Sequence, residues 1–143
     1  MTENRQFGHG ETLLVIGLGR SGLASAEVLR DRGADVYVVD EKPGNALAEG
    51  IAQIQACGAT FVAPEQLQTI LGNVTTAVLS PGVPLNGELV RRIQDARIPV
   101  YSEIEVAYRL CKAPIIAVTG TKGKSTTTSL IGRRFPGALR RFR

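Results

Sequence analysis

The chain has 143 residues, of which 43% are hydrophobic, and a formal net charge of +4. This size predicts one domain with a real core and room for a small further piece. No segment approaches the roughly 20 apolar residues that cross a membrane, and the polar start MTENRQFGHG is unlike a signal peptide. We therefore expect a cytoplasmic protein. The two cysteines and the single histidine form no recognisable metal-binding pattern.

The positive charge is concentrated at the carboxyl end of the sequence. Residues 133–143 contain five arginines and no acidic residue, and the rest of the chain has 12 basic residues against 13 acidic ones. A short basic tail attracts anions only weakly. Phe135 and Phe142 are too few aromatic residues for a base-stacking platform. We therefore expect no specific nucleic-acid partner.

Strand-like and helix-like patterns alternate along the chain. The first strand, ETLLVIGLG, enters a glycine turn and precedes a helix on which Leu23, Ala26 and Leu29 share one face. Gly33 stands where a helix end often takes a left-handed residue. The elements that follow are the strand ADVYVVDE, the helix GNALAEGIAQIQACG, the strand ATFV and one or two helical turns, PEQLQTIL. After these come the segment VTTAVLSPGVP, which is a strand ending in a turn, the helix GELVRRIQDAR, the strand IPVYS, the helix SEIEVAYRLCK with a capping box, and a sixth strand, APIIAVTG.

This alternation predicts a parallel sheet with helices on both faces, a Rossmann-like doubly wound α/β fold. A domain boundary is predicted at residues 112–114, because a helix ends there and a proline begins the next strand. The predicted organisation is a polar leader (1–10), a Rossmann-like domain (11–112), the strand, loop and helix that begin a second domain (113–132), and a divergent basic tail (133–143).

The first glycine turn, GLGRSG at residues 17–22, has the spacing G-x-G-x-x-G between a strand and a helix. Gly17 permits the tight turn, Gly19 lets the backbone approach a phosphate, and Gly22 lets the helix pack on the strand. The helix start offers free N–H groups to an anion. Asp40, at the end of the next strand, can accept hydrogen bonds from a ribose or a base. The pattern predicts a nucleotide ligand, which is either a dinucleotide or a uridine diphosphate.

A second candidate segment, SPG at residues 80–82, follows the fourth strand. Ligands of open α/β sheets lie outside the carboxyl ends of the strands, so this turn could offer a hydroxyl and backbone N–H groups to the same ligand. An ordinary Pro-Gly turn without a ligand is an equally good interpretation of these residues.

The second glycine turn, TGTKGKST at residues 119–126, follows the predicted sixth strand as a phosphate-binding loop does. Lys124 would reach the β- and γ-phosphates of a nucleotide, and the Ser125 hydroxyl would bind Mg²⁺. Val118 occupies the place of the first glycine of the strict pattern, so this is a shorter variant. One strand and one helix bury little apolar surface, whereas fixing the backbone of each residue costs roughly 1–2 kcal/mol of conformational entropy. The burial in this segment alone is therefore too small to offset the cost of ordering it.

Taken together, VIGLGRSGLA, the strand-end Asp40, SPG and PIIAVTGTKGKSTTT resemble the start of a Mur ligase over about residues 11–132. The resemblance is closest to the branch that joins D-glutamate to UDP-N-acetylmuramoyl-L-alanine in peptidoglycan synthesis, a step of cell-wall biogenesis, cell shape and cell division. It implies three domains, which bind the UDP end of the substrate, ATP with Mg²⁺, and the incoming amino acid. It also implies an acyl phosphate intermediate, an amide product and a monomeric enzyme.

The resemblance further implies roles for individual residues. The residues implied to bind the UDP part of the substrate are Gly19, Arg20, Ser21, Asp40, Glu41, Lys42, Ser80, Pro81 and Gly82. The residues implied to bind ATP are Gly120, Thr121, Lys122, Gly123, Lys124, Ser125 and Thr126. Among these, Lys124 is implied to be catalytic and Ser125 to be a ligand of Mg²⁺. Lys122 departs from the asparagine that is common in the family.

A larger departure follows Gly132, where the family's helix continues but this sequence reads RRFPGALRRFR. Proline breaks helices, so we expect a truncated form that is limited to substrate binding. The family is one of ATP-dependent acid–D-amino-acid ligases, whereas the activity of this chain alone stays open. The alternatives are an NAD-type Rossmann module, another Mur ligase family member, or an interaction protein whose basic tail docks on an acidic partner.

Overall fold

The computed structural model describes residues 7–42 and 44–134. The chain divides into two compact units, Met1–Cys111 and Lys112–Arg143. Residues 1–6 of the predicted leader and residues 135–143 of the predicted tail, with the expected helix break at Pro136, lie outside the described residues. Among the residues that are described, no helix has both the length and the apolar character to span a membrane.

The first unit is an α/β structure, as predicted. Its strands are β1 (Thr12–Ile16), β2 (Asp35–Val39), β3 (Thr60–Phe61), β4 (Thr76–Leu79) and β5 (Val100–Ser102). Its α-helices are α1 (Arg20–Asp31), α2 (Ala48–Ala56), α3 (Leu67–Ile70), α4 (Glu88–Asp95) and α5 (Glu103–Leu110), and short 3₁₀ turns precede α2 at Gly44–Leu47 and α3 at Pro64–Gln66.

The five strands form one sheet in the order β3-β2-β1-β4-β5, and every neighbouring pair is parallel. Leu14 of β1 faces Tyr37 of β2 on one side and Ala77 of β4 on the other. The strand order therefore runs outward from β1 in one direction and then restarts at β4 in the other. Such a reversal leaves a crevice at the carboxyl ends of the two central strands.

The core has two layers, one on each face of the sheet. Leu13 and Val15 of β1 belong to one cluster, with residues of α1, α2 and α5, whereas Leu14 and Ile16 belong to the other, with residues of α3 and α4. Because successive strand residues point to opposite faces, this division places helices on both sides of the sheet. The predicted doubly wound arrangement is confirmed.

Two helix ends follow the local sequence rules. Gly33 lies just beyond the end of α1 with φ +83°, a left-handed conformation that glycine adopts without steric cost. Ser102 caps α5, since its Oγ accepts the backbone N–H of Glu105 at 3.2 Å. The Glu105 carboxylate pairs instead with Arg109, whose Nε lies 2.8 Å from Glu105 Oε1. The serine hydrogen bond of the predicted capping box is therefore present, while the glutamate side chain takes another partner.

Phe7, in the predicted polar leader, is completely buried in the core. Its ring meets that of Tyr101 edge-on, with the centroids 5.6 Å apart. The guanidinium of Arg109 lies over the Tyr101 ring at 4.4 Å, and its hydrogen bond to Glu105 raises the pKa of Arg109. Arg32 Nε also donates to the Phe7 carbonyl at 2.9 Å. Sequence reasoning missed this residue because a single aromatic side chain among polar neighbours has no periodicity.

The second unit contains one helix in its described part, α6 (Lys124–Arg134). The predicted sixth strand, APIIAVTG, is wrong, because these residues form no regular structure and most are exposed. Ile115 and Ile116 are 52% and 58% exposed. A strand needs a neighbouring strand for its backbone N–H and C=O groups, and residues 112–134 provide none.

Candidate substrate-binding site

A cavity of ≈ 480 Å³ lies at the carboxyl ends of β1, β2 and β4, where the strand order reverses. This is the usual place for a ligand in an open α/β sheet. Its walls come from the first glycine turn and the segments that follow β2 and β4. The lining residues are Ile16, Gly17, Gly19, Arg20, Ser21, Asp40, Glu41, Lys42, Ser80, Pro81, Gly82, Val83, Pro84 and Leu89.

The three glycines of the first turn differ in whether the fold requires glycine at their positions. Gly17 has φ +95°, and a Cβ there would lie 2.7 Å from Val83 Cγ2. A Cβ on Gly22 would lie 1.9 Å from the Gly17 carbonyl oxygen, so only glycine lets α1 approach β1 this closely. A Cβ on Gly19 would meet nothing within 4 Å. Protein packing therefore does not require glycine at position 19, which lies on the cavity wall.

The start of α1 forms the anion-facing part of the cavity. The helix begins at Arg20, Gly19 precedes it in an extended conformation, and its first turn has no acidic residue. The first N–H groups of a helix have no acceptor within the helix and lie at its positive end. Arg20 is exposed at this end and can add a full positive charge. This arrangement suits a phosphate or diphosphate.

Asp40 connects the glycine turn to the segment after β2. Its Oδ2 accepts the Leu18 N–H at 2.7 Å, and its Oδ1 accepts the Lys42 N–H at 2.8 Å. Each carboxylate oxygen keeps a further lone pair for a ligand. Sequence reasoning assigned Asp40 only to the ligand and missed this structural role, because the partner of a strand-end acid cannot be read from spacing.

Ser80 lies beneath the glycine turn and is only 5% exposed. Its Oγ donates to the Gly17 carbonyl at 3.1 Å, and its N–H donates to the Ile16 carbonyl at 3.0 Å. Pro81 and Gly82 are exposed and continue along the cavity, with Gly82 at φ +90°. The SPG segment thus lies beside the first glycine turn, as the sheet topology requires.

An apolar wall of the cavity was not predicted. Ile16, Val83, Pro84 and Leu89 line the side next to the SPG segment and the start of α4. Apolar walls with a few convergent polar groups are typical of small-molecule sites, and they suit the flat faces of a base. The signal in the sequence is the apolar pair VP of the segment SPGVP, which the sequence analysis assigns to the turn that ends the fourth strand.

All of the residues predicted to bind the UDP part of the substrate line this one cavity. Their contact with a ligand remains a prediction. The acidic Asp40 and Glu41 and the basic Lys42 line the cavity after β2, and Arg20 lines it at the start of α1. Both acidic and basic groups therefore line the cavity, as a ligand with both a diphosphate and a donor-bearing base requires.

The second glycine turn lies in the other unit and leads into α6. Gly120 and Gly123 have φ +149° and +79°, and the Thr127 N–H donates to the Gly123 carbonyl at 2.9 Å at the start of the helix. Lys124 Nζ donates to the Gly120 carbonyl, so the amine folds back over its own loop. The predicted ATP residues, 120–126, are all exposed.

Comparison with protein families gives one matching family over most of the first unit. The family model described as the Mur ligase MurD-like N-terminal domain matches residues 11–102.

Curated relatives agree with this match. UDP-N-acetylmuramoylalanine--D-glutamate ligase of Thermoanaerobacter sp. (strain X514) is 42% identical over 132 residues, which are 92% of this chain and 29% of the relative. The enzyme of the same name from Myxococcus xanthus (strain DK1622) is 38% identical over 133 residues, with the same two coverages. This chain therefore spans less than a third of the length of these relatives.

Solved structures support the fold alone. The alcohol dehydrogenase TADH from Thermus sp. ATN1 matches 84% of this chain and 35% of its own, with a TM-score of 0.50 and 18% identity. The L-tryptophan dehydrogenase from Nostoc punctiforme matches 71% of this chain and 29% of its own, with a TM-score of 0.50 and 20% identity. At such identities the likeness confirms a Rossmann-like sheet and does not identify a ligand.

Proposed function

This chain belongs to the Mur ligase family, with a MurD-like N-terminal domain, and we propose on that premise that its first unit binds the UDP part of UDP-N-acetylmuramoyl-L-alanine. In this proposal the chain recognises the precursor to which D-glutamate is added in peptidoglycan synthesis. The names of the curated relatives support this choice of substrate over that of another Mur ligase.

The observation that supports the proposal most is the convergence of three separate segments on one cavity. The glycine turn, the residues after β2 and the SPG segment are far apart in the sequence and line the same space. The diphosphate would rest on the N–H groups at the start of α1, with the Arg20 guanidinium beside it. The uracil would lie against the apolar wall, within reach of the Asp40 carboxylate and the neighbouring residues 41 and 42.

The second glycine turn fits ATP and Mg²⁺ only in part. Lys124, Ser125 and the first N–H groups of α6 are suitable donors and ligands for a triphosphate and its metal ion. Residues 112–143, however, contain no aspartate or glutamate that could complete a Mg²⁺ site. We propose that ATP binding in this family uses residues 120–126, and we expect no ATP-dependent ligation of D-glutamate by the 143-residue chain assayed alone.

Isothermal titration calorimetry of the full chain with UDP-N-acetylmuramoyl-L-alanine tests the proposed function. We expect saturable binding of one ligand per chain, and competition by UDP. Replacing Arg20 with alanine should weaken binding about tenfold or more, because a hydrogen bond to a charged group contributes about 1.5–3 kcal/mol. Arg91→Ala is the matched control, since Arg91 is exposed on α4 and does not line the cavity.

A flat titration with a chain that is folded by circular dichroism would exclude the proposal. Saturation by NADH without competition from UDP would favour the dinucleotide alternative, to which the glycine turn is also suited. The proposal includes a monomeric protein in the cytoplasm, a compartment that fits a sequence with only two cysteines. Light scattering during size-exclusion chromatography measures the oligomeric state directly.

A further inference from the structure

The floor of the cavity contains a contact that connects β4 to the glycine turn through a single hydroxyl. Ser80 and Thr76 are the buried polar residues of the described chain, and Ser80 alone of the two lines the cavity. Its Oγ donates to the carbonyl of Gly17 at 3.1 Å. The α-carbon of Gly22 lies against the same carbonyl, since a Cβ there would be 1.9 Å from the oxygen.

The Ser80 hydroxyl cannot serve this carbonyl and a diphosphate at once. A serine hydroxyl has one proton to donate, and the oxygens of an ionised diphosphate are acceptors only. While the Ser80 O–H donates to the Gly17 carbonyl, the hydroxyl oxygen offers the diphosphate only lone pairs, which repel it. Breaking the bond would leave a buried carbonyl without this partner, which is unfavourable.

Hydrogen bonds fix both of the peptide groups that meet at the Gly17 α-carbon. The Gly17 N–H donates to the Val39 carbonyl at 2.7 Å, its carbonyl is held by Ser80, and its φ of +95° is a conformation that needs glycine. The next N–H, that of Leu18, is held by Asp40. The following residues, 19–21, line the cavity at the start of α1, where the first N–H groups of a helix have no acceptor within the helix.

We infer that Ser80 is a positioning residue, which holds the glycine turn in its anion-binding conformation and does not itself touch the diphosphate. This inference rests on the proposed function, in which the N–H groups of residues 19–21 receive the diphosphate. It differs from the role implied by the sequence resemblance, in which Ser80 belongs to the binding residues.

The test uses Ser80→Ala in the full chain, with two measurements. The first is the backbone amide spectrum of residues 18–22 by NMR without any ligand, and the second is the affinity for UDP by calorimetry. We expect the ligand-free amide signals of the turn to shift, and the UDP affinity to fall about fivefold, the change that one net hydrogen bond produces.

Ser102→Ala is the matched control, because it also removes a serine hydroxyl that makes one hydrogen bond, to the Glu105 N–H at the start of α5, away from the cavity. This variant should lose stability while its turn signals and UDP affinity stay those of the wild type. A lowered UDP affinity with unshifted ligand-free turn signals would overturn the inference in favour of direct contact. Unchanged UDP affinity in Ser80→Ala would overturn it in favour of a purely structural serine.

The wild-type chain provides a check that does not depend on a variant folding. In a crystal structure with UDP bound, the Ser80 hydroxyl should remain within hydrogen-bond distance of the Gly17 carbonyl. A hydroxyl that has turned onto a phosphate oxygen would overturn the inference. If the wild-type chain binds no UDP at all, the proposed function fails, and the ligand-free amide measurement still decides whether Ser80 sets the conformation of the turn.

Discussion

Gly19 and Gly22 stand three positions apart in the same turn, and the structure separates their roles. A Cβ on Gly22 would be forced against the backbone of Gly17, whereas a Cβ on Gly19 would enter open space on the cavity wall. A substitution at Gly22 therefore tests a steric requirement of the fold, whereas a substitution at Gly19 tests one that a ligand imposes. A single motif gives two independent tests.

We predict that Gly22→Ala destabilises the fold by about 3 kcal/mol or more, because backbone must move to relieve the overlap. Gly19→Ala should change the free energy of unfolding by no more than about 1 kcal/mol, the usual range at a helix N-cap. It should nevertheless weaken UDP binding at least tenfold, because the added methyl group would occupy the part of the cavity in which the diphosphate is proposed to lie. Urea denaturation and calorimetry measure these two effects, and similar stability losses in both variants would contradict the prediction.

The limits of sequence reasoning at this scale are visible at Asp40 and Ser80. Their positions at strand ends indicated a cavity residue, and both line the cavity. Their hydrogen bonds to Leu18 and Gly17 join parts of the chain 22 and 63 residues apart in the sequence. Such pairings depend on strand order, and the pattern of elements predicted a parallel sheet without fixing that order.

At the scale of elements, burial distinguishes a strand in the sheet from a strand-like sequence outside it. Leu14 of β1 is fully buried between two neighbouring strands, whereas Ile116 is 58% exposed. Both lie in runs of β-branched and aliphatic residues that predict a strand. The local sequence therefore gave the same signal in both places, and the presence of partner strands decided the outcome.

We predict that Leu14→Ala lowers the free energy of unfolding by about 2–5 kcal/mol, since it removes buried methyl groups and leaves a cavity. Ile116→Ala should change it by less than about 0.5 kcal/mol, as exposed substitutions usually do. Thermal or urea unfolding followed by circular dichroism compares the two variants. A loss at Ile116 as large as that at Leu14 would mean that residues 115–118 are packed in solution.

The buried face and the end of α1 could be predicted from the sequence, whereas the absence of a strand in the described part of the second unit could not. Leu23, Ala26 and Leu29 share the inner face of α1, and Gly33 ends that helix in the left-handed conformation, as the spacing predicted. Periodicity and glycine caps act over a few residues, so they can be read from sequence. The burial of Phe7 in the core and the absence of a strand near Ile116 depend on contacts between residues that are far apart in the sequence.

At the scale of the whole molecule, the two units differ in how much of their backbone is protected. The first contains the hydrogen-bonded sheet and both core clusters. In the second, the described residues 112–134 are exposed apart from three half-buried positions, and α6 has no buried residue. Stability measured on one unit therefore says little about the other.

We predict that backbone amides of β1, β2 and β4 exchange with solvent at least a hundredfold more slowly than those of residues 113–134. Amides of a packed sheet that is covered on both faces exchange only through larger openings, whereas those of an exposed single helix exchange by fraying. Hydrogen–deuterium exchange followed by mass spectrometry gives both rates in one experiment. Equal protection in the two regions would show that the second unit is stabilised by contacts beyond those described.

The buried position of Phe7 sets the shortest piece of this protein that is worth purifying. The family match begins at residue 11 and ends at residue 102. Trimming to those limits would delete an aromatic ring from beneath Tyr101 and also remove α5, with its buried Val106. A boundary drawn from homology alone would thus remove part of the described core, whereas a cut at residues 7 and 111 would retain every side chain of the two described core clusters.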